Sequence, residues 1–321
     1  MNANKLVVLG MGGTIAGRAA NAADHVGYVA GEVPVGDLLV GLPTPEGVQV
    51  ICEQVAQLDS KDMGPVPWRA LLKRVDACLA DPSVQGIVVT HGTDTLEETA
   101  YLLQAVLAPV KPVVLTCAMR PSTALVPDGP QNLVDAMQVV SEPGARGVVA
   151  VCAGQVHAAQ LVQKVHTYRT DAFDSGDAGP LGMVEAGRLT LWQPWPVQAP
   201  PEPALLEKLL TTEVWPRVEW ITSHGGADGL LVRALMAQSL ESGVSPLRGL
   251  VVAGTGNGTL HHDLEAALAQ AEAAGVVVWR TSRCSQGRVL ASEHSRLPTA
   301  PGQLQPAKAR LALQLHLISA S

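Results

Sequence analysis

Two threonine-bearing loops carry residue types that nucleophilic chemistry requires. The first is Gly10-Met-Gly-Gly-Thr14-Ile-Ala-Gly17, and the second is Thr90-His-Gly-Thr93-Asp94. A threonine hydroxyl is a weak nucleophile at neutral pH, so it needs a neighbouring base to take its proton. Glycines let the backbone approach a ligand closely, and amides near a helix N-terminus attract negative charge. Together the loops could supply a nucleophile and donors to an oxyanion.

Each loop also has a structural interpretation. The first is equally consistent with a tight turn. It is a poor dinucleotide site, because the G-x-G-x-x-G spacing from Gly10 puts Ile15 where the third glycine belongs and no strand ending in an acid follows about 20 residues later. In the second, Thr95 and Glu98 have capping-box spacing, so a helix should begin at Thr95. Thr93 and Asp94 then lie above the strand end, unless they are merely alternative caps.

Further candidates are weaker. Lys164 lies among mostly uncharged residues, where a lysine is usually a surface residue that extends its charge into solvent. The run His261-His262-Asp263 offers metal-ligand types, but adjacent helical residues point in different directions, so we interpret it as a helix start with a capping side chain. Five cysteines without a C-x-x-C pair indicate buried free thiols.

Alternating strand and helix patterns must position these loops. Short apolar runs followed by glycine-bearing loops are typical of parallel β/α units. The predicted strands of the first part of the chain are Leu6–Leu9, Val48–Leu58, Ile87–Val89, Val113–Leu115 and Val148–Val151. The predicted helices between them are Val66–Leu79 and Leu96–Leu107. The loops after parallel strands form the ligand crevice of such a sheet.

The stretch 193–203 holds five prolines, which neither a helix nor a central strand carries. We therefore predict an N-terminal domain over residues 1–192, a linker over 193–215 and a C-terminal domain over 216–321. The later strands are predicted near Val218–Thr222, Leu250–Ala253 and Val276–Trp279, and the later helices near Leu230–Leu240, Leu264–Ala273 and Pro306–Ile318. The fold class is α/β, with a larger Rossmann-like or flavodoxin-like parallel sheet domain and a smaller α/β domain.

Composition limits the partners. The net charge is −7 and aromatic residues make up 3% of the 321 residues, which argues against nucleic acid because that partner demands a basic surface and stacking platforms. No apolar run approaches the roughly 18 residues of a membrane span. No basic segment precedes an apolar stretch at the start, so we expect no signal peptide and a cytoplasmic location.

Both loops, together with the segments Ala118-Met-Arg120-Pro-Ser122, Asp128-Gly-Pro130 and Gly254-Thr-Gly-Asn257-Gly, resemble those of a known family. On these residues, the chain resembles the bacterial-type L-asparaginases nearly end to end. Two threonine signatures in the right order, about 80 residues apart, are more specific than either alone. The resemblance implies a homotetramer built from close dimers, with each active site at a dimer interface. It implies hydrolysis of L-asparagine to aspartate and ammonia without a metal or an organic cofactor.

The resemblance also implies residue roles. Thr14 is the nucleophile, Tyr28 lies on a flexible lid, and Thr93, Asp94 and Lys164 form a second cluster. Tyr28 could act as a base only if a nearby cation stabilised its phenolate. Substrate binding is assigned to the following residues, with Ser60 and Asp94 at the α-carboxylate and α-ammonium ends and the Ala118 backbone near the amide: Gly13, Ser60, Lys61, Gly92, Thr93, Asp94, Ala118 and Asn257.

Departures from the family pattern bear on specificity. Lys61 stands where many relatives carry an uncharged amide or an acid, and it would repel the substrate ammonium unless it turns outward or pairs with Asp62. Thr259 replaces an asparagine or serine of relatives, and Glu293 is a candidate acid for the neighbouring subunit's site. A broader glutaminase-asparaginase and a non-catalytic amino-acid sensor remain alternatives. The presence of the complete threonine apparatus argues against the sensor.

Overall fold

The computed structural model describes residues 4–199, 201–202, 204–291 and 296–321. Within them the chain divides into two compact units, one extending to Leu206 and the other beginning at Glu207. This division falls inside the range 193–215 that the sequence predicts as a linker. Glu293, the candidate acid, lies outside the described residues.

The strands of the first unit form one large mixed sheet and one short pair. They are β1 (Asn4–Gly12), β2 (Val48–Leu58), β3 (Val84–Thr90), β4 (Pro112–Thr116), β5 (Gly147–Cys152), β6 (Gln155–Ala158), β7 (Gln163–Lys164), β8 (Phe173–Asp174), β9 (Gly182–Glu185) and β10 (Arg188–Leu191). The predicted strands of this unit are confirmed, and they correspond to β1 to β5.

Among the described residues, the large sheet has the order β10-β9-β6-β5-β4-β3-β1-β2. The strands β2, β1, β3, β4 and β5 are parallel, and their order 2-1-3-4-5 is that of flavodoxin-like folds. The prediction of a flavodoxin-like parallel sheet is therefore confirmed. The strands β6, β9 and β10 extend it in antiparallel fashion, which the sequence did not predict.

Helices cover the sheet of this unit. They are α1 (Val35–Leu38), α2 (Pro65–Ala80), α3 (Leu96–Leu107) and α4 (Gly129–Ser141). The side chains of Leu71 and Val75 on α2 are fully buried. Leu6, Val8 and Leu9 of β1 have no exposed surface, because a central parallel strand is covered on both faces. Helix α5 (Ala204–Thr211) lies at the division between the units.

The second unit repeats the β/α pattern on a smaller scale. Its strands β11 (Arg217–Thr222), β12 (Leu247–Gly254) and β13 (Val277–Ser282) are parallel and adjacent in that order. Its helices are α6 (Leu230–Gln238), α7 (His262–Ala273) and α8 (Pro306–Ser319). The predicted smaller α/β domain is confirmed. No helix in the described part of the chain is long and apolar enough to cross a membrane.

The cysteines differ from the expectation of uniform burial. Cys78, Cys117 and Cys152 are buried free thiols, but Cys52 and Cys284 are exposed. Cys52 lies on β2, an edge strand whose side chains alternate between the covered and the open face, and Cys284 follows the end of β13. Burial raises the pKa of the Cys78 thiol.

Candidate active site

The carboxyl ends of β1 and β3 carry the two threonine loops side by side. β1 lies between β2 and β3, and the register pairs Gly10 with Thr90 and Thr90 with Thr116. This is the point at which the strand order reverses, and ligands of open α/β sheets bind in the crevice there. The sheet topology therefore brings together two loops that are about 80 residues apart in the sequence.

The backbones of the two loops touch at Gly13 and Gly92. Gly13 has a φ of +79°, and a Cβ atom there would overlap the nitrogen and Cα of Gly92. The Gly13 amide also donates to the Leu58 carbonyl at 2.8 Å, which ties the first loop to β2. A side chain at position 13 cannot be accommodated without moving the loops apart.

Thr14 begins a buried 3-10 turn, Thr14–Ala16, directly after these glycines. Its Oγ1 lies 2.6 Å from Oη of Tyr28, within hydrogen-bond distance. The tyrosine ring packs over Gly17, where an added Cβ would lie 2.8 Å from the ring. The structure thus brings together the predicted nucleophile and the predicted lid tyrosine.

The environment of Tyr28 favours its neutral form. Partial burial raises the pKa of the phenol above its ordinary value, the hydrogen bond to Thr14 lowers it, and the carboxylates of Asp59 and Asp94 raise it further. Among the described residues, the charged groups that act on Tyr28 in this way are the carboxylates of Asp59 and Asp94. Tyr28 therefore carries its proton at neutral pH.

The segment between Arg18 and Val29 is folded back over the Thr14 turn. Arg18 and Val29 exchange two backbone hydrogen bonds, of 2.9 and 2.8 Å, in an antiparallel bridge. Nearer the tip, Nδ1 of His25 lies 3.2 Å from the hydroxyl of Tyr168. We call residues 18–29 the lid.

The second cluster is built around Lys164. Its Nζ donates to Thr93 Oγ1 at 2.8 Å and to Asp94 Oδ1 at 2.7 Å. The lysine side chain is 19% exposed, so the interpretation as a surface lysine is wrong. The pairing of β7 with β8 and a bond from the Lys164 amide to Glu97 Oε2, at 2.9 Å, hold this backbone in place.

Ser60 links β2 to the Thr93 loop. It is buried in the 3-10 turn Ser60–Asp62, and its Oγ accepts from the amide of Asp94 at 3.1 Å. Thr95 stands at the N-cap of α3, but its hydroxyl donates to the Ser60 carbonyl at 2.8 Å and makes no cap bond. The predicted capping box is therefore wrong, because Thr95 joins two loops instead.

Lys61 follows Ser60 and lies at the solvent-exposed edge of this cluster. Its ammonium pairs with Asp62, and this hydrogen bond raises the pKa of Lys61. The lysine side chain is 60% exposed. Of the two arrangements that would relieve the repulsion, the structure shows the pairing with Asp62.

The loop after Ala118 is joined by hydrogen bonds to the N-cap residue of α4. Ala118 is buried after β4, and the next two amides, of Met119 and Arg120, donate to the carboxylate of Asp128 at 2.9 and 3.0 Å. Sequence reasoning quoted Asp128 as part of a motif and gave it no role. Its side chain fixes the loop behind Ala118.

Comparison with known families decides the classification. Residues 5–196 match the family "Asparaginase, N-terminal", and residues 217–320 match the "Glutaminase/Asparaginase C-terminal domain". The chain belongs to the asparaginase family.

Individual members of this family align over most of the chain. L-asparaginase 2 of Escherichia coli K12 is 33% identical over 97% of this chain and 88% of its own length. The glutaminase-asparaginase of Pseudomonas fluorescens biotype A is 34% identical over 88% of this chain and 76% of its own. The crystal structure of a probable cytoplasmic L-asparaginase from Campylobacter jejuni has a TM-score of 0.87 at 33% identity, covering 98% of this chain and 94% of that one.

In this asparaginase-family chain, His91 holds the Thr93 loop in place through two hydrogen bonds. It is fully buried, Nδ1 lies 2.7 Å from the Gly92 carbonyl, and Nε2 lies 2.9 Å from Thr99 Oγ1. A carbonyl can only accept, so Nδ1 carries the proton and Nε2 accepts from Thr99. Burial lowers the pKa of His91 to about 4.

Trp68 completes this chain of hydrogen bonds. Its indole Nε1 donates to Thr99 Oγ1 at 2.9 Å, which leaves the Thr99 hydroxyl hydrogen to donate to His91. The order Trp68, Thr99, His91, Gly92 fixes the imidazole tautomer and holds the carbonyl next to Thr93. Sequence reasoning missed Trp68 and Thr99, because nothing in a helical period distinguishes a packing residue from a hydrogen-bonding one.

Asn257 lies in the second unit and has a local role there. Its side chain donates to the Leu290 carbonyl at 3.2 Å and accepts from the Leu290 amide at 2.7 Å. The adjacent loop is closed by a bridge between Thr255 and Thr259. Substrate contact by Asn257 stays a prediction.

His261 is the N-cap of α7, and its Nδ1 accepts from the Asp263 amide at 3.3 Å, so the predicted capping role is confirmed. The expectation of diverging side chains is wrong, because the extended backbone of the cap residue lets the His261 and His262 rings stack at 4.4 Å. One ligand atom from each of these histidines and Asp263 lies within 4.8 Å of the others. All three lie on the surface side of the helix start, with His262 and Asp263 exposed.

Proposed function

We propose that this chain is an L-asparaginase that hydrolyses the side-chain amide of L-asparagine to aspartate and ammonia, with Thr14 as nucleophile. The observation that carries the proposal is the 2.6 Å contact of Thr14 Oγ1 with Tyr28, in a loop that touches the loop of Thr93 and Asp94, whose side chains Lys164 contacts. Family membership supports the same reaction class.

In the first step, Thr14 Oγ1 attacks the amide carbon. Tyr28 accepts the threonine proton at Oη as its own proton passes to the leaving nitrogen, so ammonia departs and a threonine ester remains. A neutral phenol with a raised pKa is the form that such a relay needs. Donors from the glycine loop and the Thr93 backbone would stabilise the oxyanion, an effect worth about 3–4 kcal/mol per donor in other acyl-transfer enzymes.

The second step is hydrolysis of the ester by water. Lys164 donates to Thr93 Oγ1, so the threonine hydroxyl hydrogen remains available to a substrate or water oxygen. The ammonium charge of Lys164 and the carboxylate of Asp94 hold each other in position. No step requires a metal or an organic cofactor.

The two ends of free asparagine need opposite charges. The Asp94 side chain is 51% exposed while one oxygen pairs with Lys164, so its other oxygen can accept from the substrate ammonium. Ser60 accepts from an amide and retains a hydroxyl hydrogen for the α-carboxylate. Pairing with Asp62 offsets the charge of Lys61, which lies within electrostatic range of Asp94 and would otherwise oppose the substrate ammonium there.

We propose a homotetramer built from close dimers and a cytoplasmic location. The free cysteines support a reducing compartment. Glutamine is the substrate that tests the breadth of the activity, since relatives at similar identity are named glutaminase-asparaginase.

Ammonia release from asparagine and from glutamine at neutral pH tests the proposal with wild type, Thr14→Ala and Thr190→Ala. Thr190 is exposed on β10 and serves as the matched control. We expect Thr14→Ala to lose at least about a thousandfold in rate, and Thr190→Ala to match wild type. A folded wild type that released no ammonia from either amide would favour the sensor. A Thr14→Ala protein that kept most of its rate would exclude Thr14 as nucleophile.

A further inference from the structure

A cavity of about 350 Å³ lies in the first unit beside the Thr14 turn. Ile15, the residue after the nucleophile, lines it together with Leu133 of α4. Ile15 and the first residue of α4 pack closely, since an added Cβ at Gly129 would lie 2.9 Å from the isoleucine side chain. The cavity therefore shares one wall with the candidate active site and belongs to neither of its clusters.

The body of this cavity is apolar. Its aliphatic lining comes from the Thr14 turn, from α1 and the residues around it, and from α4. These residues are Ile15, Val33, Leu38, Val40, Leu42 and Leu133. A cavity of this size, at the small end of ligand pockets, suits a small metabolite with an aliphatic portion.

The polar part of the lining is cationic on balance. Arg18 and Arg120 contribute two guanidinium groups against the single carboxylate of Asp37. Neither arginine forms an ion pair with a carboxylate in the described ranges, and Arg120 donates to the Val126 carbonyl at 3.0 Å. Gly129 and Pro130, at the N-terminus of α4, also line the cavity and add partial positive charge.

We propose that this cavity binds a small organic anion, a carboxylate with an aliphatic chain of about four to eight carbons. Its carboxylate binds Arg18 and Arg120, which present the planar donors that carboxylates prefer. Its chain fills the space against Ile15 and Leu133. Asp37 disfavours dicarboxylates at its own edge of the cavity, because a second negative charge would approach it.

The position of Arg18 connects this site to the lid. Arg18 is bonded through its backbone to Val29, the residue after Tyr28. A carboxylate that holds the Arg18 side chain therefore also restrains the base of the lid. Occupancy of the cavity should slow the amide hydrogen exchange of Arg18 and Val29, which close this bridge.

Calorimetric titration of the full chain with hexanoate tests the proposal, with 1-hexanol as the uncharged probe. Titrations in a Thr14→Ala background separate this cavity from the active site. The variants are Arg18→Gln, Arg120→Gln and Asp37→Asn, and Arg146→Gln, an exposed arginine after α4, is the matched control. Circular dichroism establishes that each variant is folded.

We expect hexanoate to bind wild type and Thr14→Ala alike and to protect the Arg18 and Val29 amides. Each arginine-to-glutamine change in the cavity should weaken binding by about tenfold, Asp37→Asn should strengthen it, and Arg146→Gln should leave it unchanged. Absence of hexanoate binding, equal affinity for 1-hexanol, or equal weakening by Arg146→Gln would each overturn the proposal. Binding is measured without turnover, so the outcome of this test does not depend on whether the chain hydrolyses asparagine.

Discussion

Tyr28 and Thr14 are joined by a hydrogen bond in which either oxygen can donate, and the charges around Tyr28 decide which chemistry that bond supports. Partial burial and, to a smaller extent, two carboxylates raise the pKa of the phenol. The neutral hydroxyl can both accept the threonine proton and donate its own. A phenolate base would instead require a nearby cation to stabilise it.

The first prediction concerns Tyr28. Removing its hydroxyl in Tyr28→Phe should lower kcat by about 10²–10⁴, the usual contribution of a positioned proton-transfer group. Since the raised pKa keeps the phenol neutral, the wild-type rate should show no inflection from Tyr28 between about pH 7 and pH 9. Ammonia release as a function of pH measures both. A wild-type inflection near pH 7–8 that vanished in Tyr28→Phe would identify a phenolate base instead.

The second prediction concerns stability below neutral pH. The pKa of buried His91 is lowered from 6.5 to about 4, so between these values the unfolded chain binds a proton that the folded chain does not. Stability should therefore fall as pH decreases from about 6.5 to 4, by on the order of 3 kcal/mol when complete. Urea midpoints at several pH values measure this fall.

His91→Asn should flatten that pH dependence, and His262→Gln, on the exposed start of α7, should leave it as in wild type. An independent readout is the NMR titration of the imidazole protons in the folded wild type. If His91 titrated near its ordinary value, its neutral state and the fixed tautomer would both be wrong.

At the scale of elements, the sequence predicted the strands and helices that have a clear hydrophobic pattern and missed the short strands that have none. β1, β3, β4 and β5 have continuous apolar runs, β2 intersperses apolar with polar residues, and α2 and α3 have a clear helical period, so their positions followed from the pattern. The strands β9 and β10 are four residues each and turn at Ala186 and Gly187, which is too short for a period to stand out. β7 has two residues, yet it positions Lys164.

The third prediction tests the contact between loops. Gly13→Ala should abolish activity and destabilise the fold, because its Cβ would overlap the Gly92 backbone and its φ of +79° is unfavourable to alanine. Gly144→Ala is a matched control, since its φ is +81° and nothing lies within 4 Å of the added Cβ. The rate of ammonia release and the thermal midpoint measure both variants.

Gly144→Ala isolates the backbone cost, which we expect to be about 1–2 kcal/mol without loss of activity. The difference between the two variants then reports the steric clash alone. Equal effects of the two changes on activity would mean that the approach of Gly13 to Gly92 is not required for catalysis.

At the scale of the whole molecule, the sequence predicted two α/β units from the spacing of strands and from a proline-rich stretch. The flavodoxin-like order of the first sheet explains why Thr14 and Thr93 meet, since both follow strands at its reversal point. Assembly could not be derived in this way. An interface depends on which surfaces match, and the pattern of a single chain records only which residues are apolar.

The second unit exposes large apolar side chains that an assembly could cover. Trp220 of β11 is 47% exposed, and Leu230 and Leu231 at the start of α6 are 61% and 58% exposed. Neighbouring exposed apolar residues often mark protein interfaces. The tetramer that the family resemblance implies stays a prediction.

The last prediction concerns this assembly. If each active site is completed by a neighbouring subunit, the mass in solution should be about four times the 33.4 kDa of one chain, and activity per chain should fall on dilution together with the mass. Light scattering and ammonia release over the same dilution series measure the two quantities. Trp220→Lys should shift both transitions to higher concentration, whereas Arg146→Gln should not. Full activity per chain in a monomeric sample would establish that the first and second units of one chain contain all the groups that turnover needs.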